Sequence, residues 1–392
     1  GLRDFATWCA MNEILGNDPS AWSSDYARPD SPAVAVFQAE NSDLVEFHMW
    51  MQWQMDQQLA ATQKAARDAG MAIGIMADLA VGVHPSGADS WALQDVLARG
   101  VSVGAPPDMY NQMGQDWSQP PWRPDALAEA GYLPYRDLLR TILRHAGGLR
   151  IDHVLGLFRL WWVPAGMGAR NGTFVRFDHD AMIGILCLEA QRAGAIVVGD
   201  DLGTVEPCVL DMLAARGILG TVISWFERTD GVITPLANWR RDILASVTVH
   251  DLPPTAGFLR DEHVRIRESL GLLTTDPTVE YANARRDREQ WAALLHDAGF
   301  LAAEVDLETD AGLDAMAIAL HRAVGSTKAR LVGVGLPDVV GDRRAQNQPG
   351  TYLEYPNWRV PMTDSAGRPM LLEDVIAGPE LLGPMVDAVR KR

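Results

Sequence analysis

The chain has 392 residues, 47% hydrophobic and 22% charged, which suits one large core with subdomains and excludes a disordered tail or a repeat fibre. Its 51 acidic residues outnumber 34 basic ones, a formal charge of −17 with no basic stripe to break it, so nucleic acid and anionic membrane surfaces are poor partners. Cys9, Cys187 and Cys208 are odd in number and widely spaced, which suggests neither a disulfide framework nor a zinc site and makes a reducing cytoplasm the default location.

The chain opens at Gly1 without an initiating Met, in the helix-like stretch Phe5-Ala6-Thr7-Trp8, and this reads as an internal start. No basic-then-apolar leader and no apolar run of about 18 residues is found. From there one unit recurs: an amphipathic helical run, a Gly suited to a left-handed helix end, then a short apolar strand. Residues 44–69 read as a helix, Gly70 as its stop, and residues 71–76 as a strand reaching Asp78. Residues 136–146 lead through Gly147-Gly148 into strand 149–152, and residues 181–193 through Gly194 into strand 195–200. Residues 206–215 lead through Gly217 and Gly220 into strand 221–225; strand 244–249 runs into His250-Asp251; and residues 312–324 lead through Gly325 into strand 329–334.

Six apolar, non-alternating strands predict a parallel sheet covered by helices. An open doubly wound sheet would gather its chemistry at one switch point, whereas Asp78, Asp152, Asp200 and Asp251 stand at the ends of four different strands. The sequence therefore predicts a partial TIM-type (β/α)8 barrel over residues 1–392, its first two strands lying upstream of Gly1. Insertions at about 79–135, 155–180 and 227–243 are expected over the C-terminal face as loops or helical subdomains.

An isolated strand-end Asp is more often a helix cap or a loop anchor. Four together are a constellation. Arg150 precedes Asp152 by two positions, so both side chains leave the same face of the strand and the cation keeps the carboxylate ionised. An ionised Asp beside a second carboxyl group is the requirement of retaining glycoside cleavage, and His250-Asp251 adds hydrogen-bonding groups for sugar hydroxyls. His145, His153 and His250 lack the spacing of a helical zinc site, and Gly333-Val334-Gly335-Leu336-Pro337-Asp338 is a poor dinucleotide loop, so no metal and no cofactor is implied.

At these residues the chain resembles the amylomaltases, the 4-alpha-glucanotransferases of the alpha-amylase clan. Asp78-Leu79-Ala80-Val81-Gly82-Val83-His84 is similar to the clan's first conserved region, Arg150-Ile151-Asp152-His153 to the nucleophile motif, residues 199–205 to the acid/base motif and His250-Asp251-Leu252-Pro253 to the third-carboxylate motif. Ala105-Pro106-Pro107-Asp108, residues 114–117, Leu160-Trp161-Trp162-Val163-Pro164, residues 347–350 and Asn357-Trp358-Arg359 resemble further family features.

The resemblance implies Asp152 as nucleophile, Asp200 as acid/base, Asp251 as transition-state stabiliser, and Asp78, Arg150, His250, Trp162, Asp108 and Asn357 as substrate-binding residues. It implies maltodextrins as substrates, with Trp117, Trp122, Trp161, Trp162, Trp225 and Trp358 as candidate sugar platforms. One departure stands out: the family's Glu-Asp-Leu-Gly is here Asp200-Asp201-Leu202-Gly203. The missing methylene withdraws the proton donor by about 1.5 Å. Misplacement by about 1 Å costs around a hundredfold in rate, so impaired transfer is expected. Two alternatives stay open: a catalytically silent glucan-binding protein, and an alpha-glucan hydrolase of the same clan.

Overall fold

The computed structural model describes residues 1–107, 112–203 and 205–390, and its chain falls into two compact units, Gly1–Pro106 with Gln115–Ile218 and Pro107–Gly114 with Leu219–Arg392. In the first unit the strands are β1 (Met76–Leu79), β2 (Val101–Ala105), β3 (Gln115–Gln119), β4 (Gly148–Ile151), β5 (Arg159–Pro164), β6 (Thr173–Arg176) and β7 (Ile196–Gly199). Strands β1, β4 and β7 form a parallel sheet in that order. The other four make one antiparallel sheet, ordered β3-β2-β5-β6.

Sequence periodicity places the helices well: 44–69 is Ser42–Asp68, 136–146 is Leu133–Leu143 and 181–193 is His179–Ala193. The helix 179–193 begins on Asp178, whose carboxylate accepts the Ala181 amide, and stops at Gly194 in the left-handed conformation. The amphipathic faces of 133–143 and 179–193 pack on the parallel sheet through Leu139, Leu143, Met182, Ile183 and Leu186 against Leu149, Ile151 and Val197. A separate N-terminal cluster joins Ala6, Ala10, Met11, Val34, Phe37, Val45 and Trp91.

Several strands are shorter than their sequence reading: the one read at 244–249 ends at Ser246, five residues before Asp251, the one read at 221–225 ends at Ile223, and the first starts late. Residues 71–75 are not extended ladder; β1 starts only at Met76. Gly74 turns at φ 73°, and Gln63 on the preceding helix clasps the turn, donating from Nε2 to the Ile73 carbonyl at 3.2 Å and accepting from the Ile75 amide at 2.6 Å. A tertiary hydrogen bond thus overrides an apolar run of high strand propensity.

The second unit holds β8 (Gly220–Ile223), the short hairpin β9 (Arg228–Thr229) and β10 (Val232–Ile233), β11 (Ile243–Ser246) and β12 (Leu331–Gly333). Strands β12, β11 and β8 are parallel in that order, with β11 central, as its apolar run and total burial of Ile243 and Ala245 require. Helix Asp310–Ser326 is the feeder of β12, capped by Thr309. The longest helix here, Pro277–Asp297, buries Trp291 and Leu295. Six parallel strands are thus present among the described residues, three in each unit.

Candidate active site

The first unit gathers three of the predicted carboxylates around one cation. In the β1–β4 register Asp78 lies opposite Arg150, and in the β4–β7 register Ile151 lies opposite Gly199. The ladder continues past the strands: the Asp152 amide donates to the Leu79 carbonyl at 3.0 Å, and the Asp200 amide donates to the Ile151 carbonyl at 2.9 Å. Asp152 and Asp200 are therefore fixed at the C-terminal strand ends by backbone geometry, as a parallel sheet dictates.

Arg150 is largely buried, its side chain 15% exposed, and its guanidinium is a three-way hub. Nη1 donates to Asp78 at 2.8 and 3.0 Å and to Asp152 at 3.1 Å, while Nη2 donates to Asp200 Oδ2 at 2.6 Å. The planar fork reaches several carboxylates at once where a point charge would not. Asp200 also accepts the Leu202 amide at 3.2 Å through Oδ1. Burial pushes its pKa up to about 6; the Arg150 charge pulls it back down and the neighbouring Asp152 adds to the rise.

The turn after Asp152 is tight. His153 takes the left-handed conformation at φ 47°, and the Val154 amide donates to the Asp200 carbonyl at 2.9 Å. Any Cβ on Gly199 would lie 2.8 Å from Val154 Cγ1, so glycine is what lets this turn close against β7. Burial pushes the His153 pKa down to about 4, and its ring meets Trp117 edge-on at 5.5 Å between centroids.

In the second unit Asp251 accepts from Asn347 Nδ2 at 2.7 Å, and His250 Nε2 lies 3.6 Å from its other oxygen. The His250 ring stands 5.2 Å from that of Trp358, which is 64% exposed and left-handed at φ 60°. Asn357 serves the same loop: its Oδ1 accepts the Gln348 amide at 2.8 Å and its Nδ2 donates to Thr351 Oγ1 at 2.9 Å. That amide is a loop anchor that presents Trp358.

Trp162 lies on β5 opposite Val103 of β2 and packs with Trp117 and Trp122 against Val103, Leu160 and Phe177. Its Nε1 is buried without a hydrogen-bond partner among the described residues. Trp161, on the other face, donates to the Ala169 carbonyl at 2.8 Å. Trp225 is no platform: 6% exposed, it stacks on Phe258 at 4.2 Å in the core. Asp108 falls outside the described residues.

Asn347 stood in sequence only as part of the family-like stretch 347–350, with no role or partner, and the Gly199–Val154 contact was not foreseen. An amide near a Gln-Pro-Gly turn carries no local sign of the carboxylate 96 residues away that it holds. Among the described residues no group of three or more His, Cys, Asp or Glu could hold a metal ion.

The model of a known family, described as 4-alpha-glucanotransferase, matches residues 1–366. The chain belongs to that 4-alpha-glucanotransferase family. It is 58% identical over 379 residues, 95% of its length, to the 4-alpha-glucanotransferase of Mycobacterium tuberculosis H37Rv, and 31% identical over 340 residues, 86% of its length, to that of Haemophilus influenzae. These matches cover 52% and 49% of the two relatives, so the chain spans about half the length of the curated relatives it matches. The crystal structure of amylomaltase from Corynebacterium glutamicum matches all of this chain, and 55% of its own, with a TM-score of 0.88 at 49% identity. The fold class is accordingly the (β/α)8 barrel of the amylomaltases, represented here by six parallel strands among the described residues.

Proposed function

We propose that this chain carries the central machinery of a retaining 4-alpha-glucanotransferase acting on maltodextrins, with Asp152 as nucleophile, Asp200 as acid/base and Asp251 as transition-state stabiliser. Family membership supports the reaction class, and the Arg150 hub supports the pairing of the first two carboxylates. In the first half-reaction an Asp152 oxygen forms a bond to the anomeric carbon as the bond from that carbon to the leaving 4-oxygen breaks, and Asp200 gives its proton to that oxygen. In the second half, ionised Asp200 takes the proton of an acceptor 4-hydroxyl, the acceptor oxygen bonds to the anomeric carbon and the bond to Asp152 breaks.

An acid with a pKa raised to about 6 by burial is suited to the first step, since a useful fraction is protonated near neutrality. Its length is not. The shorter Asp200 is held on Arg150 at 2.6 Å and lacks a methylene of reach, so transfer is slow. Trp117 beside His153 and exposed Trp358 beside His250 are the aromatic faces best placed for sugar rings. The same ion pair also favours a second reading, a glucan-binding protein without turnover. Product analysis on maltotriose separates the readings: in Asp200→Glu, maltodextrins longer than maltotriose, formed together with the shorter sugars they release and with no net gain of reducing ends, mark a transferase. Shorter sugars with a net gain of reducing ends and no longer products mark a hydrolase, and binding without products marks the silent protein.

A further inference from the structure

The first unit carries a charged cavity at the opposite end of β4 from Asp152. It has a volume of about 360 Å³ and lies where three helices end: Gln63 and Arg67 come from Ser42–Asp68, Arg140 from Leu133–Leu143, and Glu189 and Arg192 from His179–Ala193, with Arg144 in the turn before β4. Four guanidinium groups meet two carboxylates. Glu189, only 4% exposed, accepts from Arg140 Nε at 2.9 Å and Nη2 at 3.1 Å and from Arg192 Nη1 at 2.8 Å. Asp56 takes Arg144 Nη1 at 3.0 Å and His145 Nε2 at 2.8 Å. Arg67 Nη1 binds only a neutral acceptor, the Ala72 carbonyl.

Four cations against two anions leave two formal positive charges on one small cavity, in a chain whose total is −17. Part of that excess offsets the negative ends of the three helices. The forks are nevertheless not used up: Arg140 Nη1, the Nε and Nη2 of Arg144, and the Nε and Nη2 of Arg192 have no further protein partner among the described residues. Several planar forks with free N–H groups around a space of this size match the tetrahedral oxygens of a phosphate group.

We propose that this cavity is a binding site for a small phosphate-type anion, separate from the glycosidic centre. The inference is independent of the proposed activity. It is tested by phosphorus NMR titration of the protein with inorganic phosphate and, separately, with a hexose monophosphate, at a pH where both are dianionic. Saturable binding is expected with both ligands or with the sugar phosphate alone. Tighter binding of the sugar phosphate assigns the cavity to organic phosphates, and equal binding assigns it to the inorganic group. Replacing Arg67 and Arg144 by Gln is expected to weaken binding about tenfold or more. Asp56→Asn, which frees Arg144 and His145, is expected to tighten it about threefold, a gain that misfolding would not produce. Absence of saturation by about 10 mM with both ligands, or equal affinity in the wild type and the double variant, overturns the proposal.

Discussion

Arg150 Nη2 lies 2.6 Å from Asp200 Oδ2, so the group assigned as acid/base is also the closest ion-pair partner of the cation that holds the assigned nucleophile. Asp200→Glu restores one methylene, which carries the carboxyl past the guanidinium by about 1.5 Å. The initial rate on maltotriose is expected to rise on the order of a hundredfold. An unchanged or lower rate in a folded variant would count against Asp200 as the proton donor.

The acid has to be protonated for donor cleavage. Burial raises the Asp200 pKa to about 6, so kcat/KM for donor cleavage should fall as pH rises through about 6, approaching tenfold per pH unit beyond it. Arg150 is the main influence lowering that pKa against burial. In Arg150→Met the alkaline limb should therefore move to higher pH while the rate drops, because Asp152 loses its holding cation. A limb that stays fixed would mean that another group titrates.

Asn347 donates to Asp251 at 2.7 Å, closer than His250 at 3.6 Å. Asn347→Ala removes a charge-assisted bond of about 1.5–3 kcal/mol, and kcat in the Asp200→Glu background should fall about tenfold to a hundredfold. Asn347→Asp should be worse, since it places a like charge against Asp251. A change confined to KM would assign Asn347 to sugar binding instead.

His153 is buried and neutral, its pKa lowered from 6.5 to about 4. The unfolded chain therefore binds more protons than the native one between about pH 6.5 and 4, and stability falls as pH drops through that window. The shift corresponds to about 3 kcal/mol, fully lost below pH 4. His263, pushed down to about 3 by burial with help from Arg267 and Arg288, acts in the same direction. Urea titrations at pH 7 and pH 4.5 should show the loss, and His153→Gln should reduce the pH dependence. Equal slopes for the variant and the wild type would contradict the assignment.

Much of the architecture was legible in the residues. Amphipathic runs ending at Gly70 and Gly194 mark helices, and the apolar segments after them mark strands, because a helix must bury one stripe and a covered parallel strand both faces. Where the reading slipped, a tertiary contact was responsible, as with the Gln63 clasp that delays β1 to Met76. The insertions 79–135 and 155–180 were expected as loops or helical subdomains. Their strands β2, β3, β5 and β6 combine into one sheet, and a pairing such as Val103 with Trp162 leaves no trace in local periodicity.

The amino-acid sequence by itself determined the strand–helix alternation, the strand-end positions of Asp78, Asp152 and Asp200 and the Asp at residue 200, since these follow from short-range pattern and side-chain identity. Only the tertiary structure decided that one guanidinium would hold Asp78, Asp152 and Asp200 together, that Asn357 would anchor a loop, and that Trp225 would vanish into the core. Register between strands 50 and 72 residues apart is set by packing over the whole sheet, and no local stretch of chain encodes it.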